Sequence, residues 1–174
     1  MDWFENEKLN LAKSRGIYSN HELFVLIPSF LANRNHDKIN RECQNRHIIG
    51  TYEYMQADIK SKKQGFAGSA FFNSDFNIYK EIARIRGTGI LIFDNEGRIK
   101  SETIKYHRIV GFGGMKKLEQ TDVISIRYSK TGSHAFPVHK NKFEDDLKFV
   151  KSKNLDEHSR SGITAGVSFI KVFL

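Results

Sequence analysis

The spacing of apolar positions changes several times along the chain, and each change predicts an element. Trp3, Phe4, Leu11 and Ala12 recur at roughly helical spacing between Asp2, a candidate N-cap, and Gly16, a stop, so a first helix is expected over 2–14. Glu22 to Pro28 is a short, continuous apolar run bounded by polar residues, the pattern of a central strand covered on both faces. Ile39 and Cys43, four apart among polar neighbours, predict a surface helix within 36–46. Ile48 to Met55 is rich in β-branched and aromatic residues and predicts a strand, with a loop at Lys60 to Lys63. Phe66 to Phe72 predicts another strand. Phe76, Tyr79, Ile82, Ala83 and Ile85 return to helical spacing up to Gly87, and Gly89 to Phe93 reads as a buried strand.

From there the pattern becomes that of hairpins. Asp94 to Gly97 is a turn signal, Arg98 to Val110 alternates imperfectly, and Val123 to Tyr128 alternates well. Ser129 to Gly132 is a second turn, leading into a strand from His134 to Val138. Phe143, Leu147 and Val150 fit a short amphipathic helix capped by Asn141, with Glu144, Asp145 and Asp146 in the first turn, where the helix dipole favours acids. Gly166 to Leu174 predicts a last strand, paired inside the sheet.

These elements predict an α+β fold: one domain over 1–174, with a mixed, mostly antiparallel sheet of about six to eight strands and three or four helices packed against it. Residues 1–94 form its helix-flanked strand unit, and 95–174 hold the basic hairpins, the short helix and the C-terminal strand. Tyr52, Tyr54, Phe66, Phe71, Phe72, Phe76 and Tyr79 are expected in the core.

Composition adds limits. The apolar fraction is 39%, low for a globular domain, but 14 Phe and 6 Tyr supply large buried areas. Cys43 is the only cysteine, so no intramolecular disulfide or cysteine-based zinc cluster can form, and a reducing compartment is expected. The opening residues lack the pattern of a signal peptide and no apolar run reaches the roughly 20 residues of a membrane span, so a cytoplasmic protein with no membrane partner is expected.

Charge supplies the functional lead. Between Gly97 and Lys142 stand ten Lys and Arg against Glu102, Glu119 and Asp122, which accounts for nearly all of the chain's net +8. Basic faces meet phosphates, and strand alternation can gather cations on one side. Lys100, Lys105, Arg108, Lys116, Lys117, Arg127 and Lys130 are therefore the candidate DNA or RNA contacts of a small nucleic-acid-associated accessory protein. Tyr106 and His107 add planar groups for stacking on bases. A solvated, edge-protecting lysine face is the competing reading.

No motif identifies a reaction, and no cofactor is called for. An enzyme reading would be a metal-dependent nuclease, through Asp94, Glu102 and Lys105 or through His134 and His139 with Glu144 or Asp145, since such carboxylate and imidazole sets activate water on a metal. Five residues apart, His134 and His139 fall on opposite faces of a regular strand, so joint ligation is not expected. Gly111 to Lys117 resembles an anion-cradling turn but lacks P-loop spacing. Ser159 to Gly166 reads as a surface turn, and Asn33 to His36 as a capped helix start. A regulator or inhibitor of viral or mobile-element type, docking an acidic protein partner, is the third class; the abundance of Lys, Asn and Phe suits an AT-rich genome of that kind.

Overall fold

The computed structural model describes residues 38–86, 88–93 and 99–149, which carry four helices and seven strands. The helix expected over 2–14, the strands at Glu22 to Pro28 and Gly166 to Leu174, the turn at Asp94 to Gly97, and the segments Asn33 to His36 and Ser159 to Gly166 lie outside them. The fold is α+β, with helices α1 (Arg41–Asn45), α2 (Tyr52–Lys63), α3 (Ile78–Ile85) and α4 (142–149). The strands are β1 (Phe71–Phe72), β2 (Ile90–Phe93), β3 (Ile99–Lys105), β4 (Gly111–Gly113), β5 (Glu119–Thr121), β6 (Val123–Ser129) and β7 (Gly132–Pro137). They form two antiparallel sheets, a main one in the order β2-β3-β6-β7 and a small one in the order β1-β4-β5.

The main sheet follows from sequence alternation. Its register sets Ile104 opposite Ile124, Glu102 opposite Ile126, and Ile126 opposite Ala135, so these share one face. Against that face α3 lays Ile78, Ile82 and Ile85, all buried, and together with Leu91, Val110 and Tyr128 they form the main core. Asn77 starts α3 by accepting from the Lys80 amide, as an N-cap should.

The opposite face carries two rows across the strands: Ile92, Ser101, Arg127 and His134, then Ile90, Thr103, Ser125 and Phe136. Helix α4 covers the β2-β3 end of these rows, packing Leu147 and Phe143 against Ile90 and Ile92. Asp146 of α4 accepts a 2.7 Å hydrogen bond from the Thr103 hydroxyl, and Lys142 pairs with the same carboxylate.

Strand β7 is an edge, and its free backbone groups are satisfied. Ser133 donates to the Lys38 carbonyl and accepts from the Asn40 amide, both at 2.8 Å. Two residues on, the buried Gln44 side chain of α1 donates to the Ala135 carbonyl and accepts from its amide, again at 2.8 Å each. Pro137 has no amide to satisfy. The Ser129 to Gly132 turn brings this edge into place: Gly132 has φ 125°, and a Cβ there would stand 2.6 Å from the Lys38 carbonyl.

Several expectations are corrected. The strand placed at Ile48 to Met55 and the loop at Lys60 to Lys63 are replaced by α2, which is capped by the Thr51 hydroxyl accepting from the Tyr54 amide and runs with Glu53 in its first turn and Lys60, Lys62 and Lys63 in its last. Its caps and dipole-matched charges outweigh the β preference of Thr51, Tyr52 and Tyr54. The strand at Phe66 to Phe72 shrinks to β1. Of the expected core aromatics Phe72 and Phe76 are buried, but Tyr52 is 68% and Phe66 37% exposed.

Candidate functional site

Alternation on β7 sends His134 and Phe136 to the outer face of the main sheet, and the register places Arg127 of β6 beside His134. The third ring comes from far off in sequence. His47 follows α1, where its amide donates to the Gln44 carbonyl and its carbonyl accepts from the Phe72 amide. The loop before β1 is fixed in turn by Ser69, whose amide donates to Asp58 and whose hydroxyl donates to the Arg46 carbonyl. That loop offers the Ala70 carbonyl, 2.8 Å from His47 Nδ1.

So held, the three rings stack nearly parallel. His47 and His134 have centroids 6.1 Å apart with an interplanar angle of 0°, and Phe136 lies 5.0 Å from His47 and 5.7 Å from His134. The Arg127 guanidinium caps the group, 5.3 Å from the Phe136 centroid. A guanidinium over an aromatic face is held by the ring quadrupole.

Both imidazoles are kept neutral. Burial lowers the pKa of His47 to about 4, with the charges of Arg46 and Arg127 adding to the effect and the bond to Ala70 opposing it. Burial likewise lowers His134 to about 4, helped by His47, Arg127 and Arg46. A carbonyl only accepts, so the proton of neutral His47 sits on Nδ1 and its Nε2 carries the lone pair. The group thus combines a base of defined tautomer, a second imidazole and a permanent cation.

Residues 39–137, more than half of the chain, match the family Ntox50, described as Bacterial toxin 50. The chain belongs to this family. The matched span runs from the segment pairing with β7 through to the end of β7 itself, so it contains His47, Arg127, His134 and Phe136. No curated protein and no solved structure matches the chain.

The residues expected from sequence to bind nucleic acid are spread over the fold. Arg127 belongs to the ring cluster, and exposed Lys130 lies in the adjoining turn. Lys100 and Lys105 are exposed on β3. Arg108 is bound elsewhere, to Asp75 at 2.8 Å and over the Phe76 ring. Lys116 and Lys117 sit in the loop between β4 and β5, where Lys117, His139 and Lys140 surround Glu119 and hold its carboxyl below the usual range, Lys117 contributing most. The glycine-rich segment there begins as β4, and only the residues after it turn.

Glu102 and Lys105, two of the residues expected for a nuclease, are not brought together. Glu102 is fully buried, its carboxyl accepting from the Gly89 amide and the Tyr128 hydroxyl at 2.6 Å each. Lys105, three residues on, points to the other face of β3, and Asp94 lies outside the described residues. His134 and His139 are separated as well, the latter lying 3.5 Å from Glu119. Among the described residues no three His, Cys, Asp or Glu side chains are grouped to hold a metal ion, and no helix is long and apolar enough to cross a membrane.

Sequence reasoning singled out Arg127 and His134 but not His47 or Phe136. Period-two spacing of His134 and Phe136 was the available signal for the second; nothing local marks His47.

Proposed function

We propose that this toxin-family chain acts on RNA, cleaving it by acid–base chemistry at the outer face of β6 and β7. The observation that carries the reading is the pair of neutral, parallel imidazoles beside Arg127. His47 Nε2 takes the proton of a ribose 2′-hydroxyl as that oxygen bonds to the adjacent phosphorus. The bond from phosphorus to the 5′-oxygen breaks, and His134 gives the leaving oxygen its proton. The bound phosphodiester supplies the negative charge that the free site lacks, raising the His134 pKa towards the range where it carries a proton. Arg127 meets the charge that develops on the phosphoryl oxygens. Lys130, Lys100 and Lys105 add longer-range attraction for the polyanion.

The test is incubation of the purified chain with single-stranded RNA, followed by separation of the products. Wild type is expected to yield fragments ending in cyclic or 3′-phosphates, and His47→Ala and His134→Ala to lose most activity while keeping the fold. Intact RNA with wild type, or unchanged cleavage by both variants, contradicts the proposal.

A second reading is docking of an acidic protein. Tyr52, Met55 and Ile59 form an exposed stripe along α2, continued by Ile49, with exposed Lys60 and Lys63 beside it. An apolar patch bordered by cations suits a partner with an apolar strip bordered by carboxylates. Loss of such a complex with Met55→Asp, with RNA cleavage retained, is the expected result.

A further inference from the structure

A cavity of about 610 Å³ opens between the segment leading into α1, helix α3 and the β6-β7 turn, lined by Lys38, Ile39, Asn40, Arg41, Tyr79 and Thr131. Its volume falls in the range of small-ligand sites. Its chemistry is one-sided, with two cations, one aromatic ring, two polar side chains and no carboxylate. Two neighbouring acids are engaged elsewhere: Glu42, next to Arg41 in sequence, pairs with Arg46, and Glu53, which acts on Tyr79, accepts from Asn45.

The walls are held by bonds that leave the cations unused. Asn40 donates to the Thr131 hydroxyl at 2.9 Å, fixing the turn against the segment before α1. The Tyr79 hydroxyl donates to Asn45 at 2.7 Å, which fixes the half-buried ring at the wall. Arg41 lies near enough to that hydroxyl to oppose the rise in pKa that burial gives it.

We propose that this cavity is a nucleotide subsite, in which Lys38 and Arg41 bind a phosphate and Tyr79 stacks on the base. Stacking on an aromatic side chain tolerates any base, and a guanidinium recognises phosphate through paired donors. Thr131 lies in the β6-β7 turn, three residues before His134 of β7. The cavity and the imidazoles lie along the same β7 edge, one beside the segment that pairs with Ser133 and the other where His47 meets His134. The identity of the ligand rests on the RNA reading above, but the binding does not require cleavage.

The test is calorimetric titration of the full chain with a nucleoside 5′-monophosphate and, separately, with inorganic phosphate. Wild type is expected to bind the nucleotide at least tenfold more tightly than phosphate. The Lys38→Ala/Arg41→Ala double variant is expected to bind at least tenfold more weakly, and Arg41→Lys to lose part of the affinity, because an ammonium cannot reproduce the paired donors. Equal affinity for nucleotide and phosphate overturns the subsite, as does unchanged binding by the double variant. Binding lost in His134→Ala but kept in the double variant also overturns it. If wild type binds in this pattern yet RNA stays intact, the subsite stands and the cleavage reading falls.

Discussion

The Nδ1 atom of His47 lies 2.8 Å from the carbonyl oxygen of Ala70, and this one contact fixes which nitrogen of the imidazole is free. The loop carrying Ala70 is itself tied down through Asp58, which Lys62 and the Ser69 amide hold below the usual carboxyl range. A general base needs a defined lone pair as well as a suitable pKa. The chain provides the lone pair by folding the turn after α1 against the loop that precedes β1.

Removing either imidazole tests that geometry directly. A positioned proton-transfer group contributes about 10²–10⁴-fold in rate, so His47→Ala and His134→Ala are each expected to lower kcat/KM on RNA by that order. Arg127→Ala is expected to lower it as well, and to reduce the dependence of RNA affinity on salt. Circular dichroism and denaturation midpoints show whether the fold survives each change.

The depressed histidine pKa values set a pH window. In the unfolded chain each imidazole titrates near 6.5, and in the folded one near 4. Between these values the unfolded state binds more protons, so stability is full above about pH 6.5 and falls as pH drops towards 4. Urea midpoints from pH 7 to 4.5 are expected to decline for wild type and to decline less for His47→Gln/His134→Gln. Parallel curves would show that the rings are not held neutral. For the same reason kcat/KM, which reports the free protein, is expected to peak near pH 4, where His47 has lost its proton and His134 still carries one, rather than near 6.5.

Glu102 is a structural group in this account. Tyr128→Phe removes a buried donor to its carboxyl, and hydrogen bonds to charged groups are worth about 1.5–3 kcal/mol. A loss of that order in unfolding free energy is expected, with the RNA cleavage of the folded protein unchanged. Burial and the neighbouring Glu102 raise the Tyr128 pKa well above 10, so this donor keeps its proton throughout the accessible pH range.

Gln44→Ala exposes the β7 edge. Both backbone groups of Ala135 then lose their partners, at about 1–3 kcal/mol for an unsatisfied buried group. The unpaired edge invites pairing with another chain. Lower denaturation midpoints and concentration-dependent scattering are the expected outcomes.

Much of this fold is legible in local pattern. Alternation from Val123 to Tyr128 marks β6, the Ser129 to Gly132 turn marks its hairpin, and Ile78, Ile82 and Ile85 mark α3. Helix α2 is misread because β-branched residues lead into it and its first turn is aromatic, whereas its cap at Thr51 and its basic last turn are the truer signals. The site is legible only in part. Arg127 and His134 attract notice as a cation and an imidazole on a strand, but the partner His134 finds in space is His47, not His139. The docking of Gln44 on Ala135 and the pairing of Ser133 with Lys38 and Asn40 bring that ring across, and a pairing through an edge strand leaves no periodic trace.

The central claim is that a 2′-hydroxyl attacks, with His47 removing its proton. The most direct measurement compares cleavage of a short RNA with the same oligonucleotide carrying a single 2′-deoxy sugar at the cleaved position. The account predicts rapid scission of the first, none at that position in the second, and neither with His47→Ala. Equal scission of both substrates by the wild-type chain would contradict it.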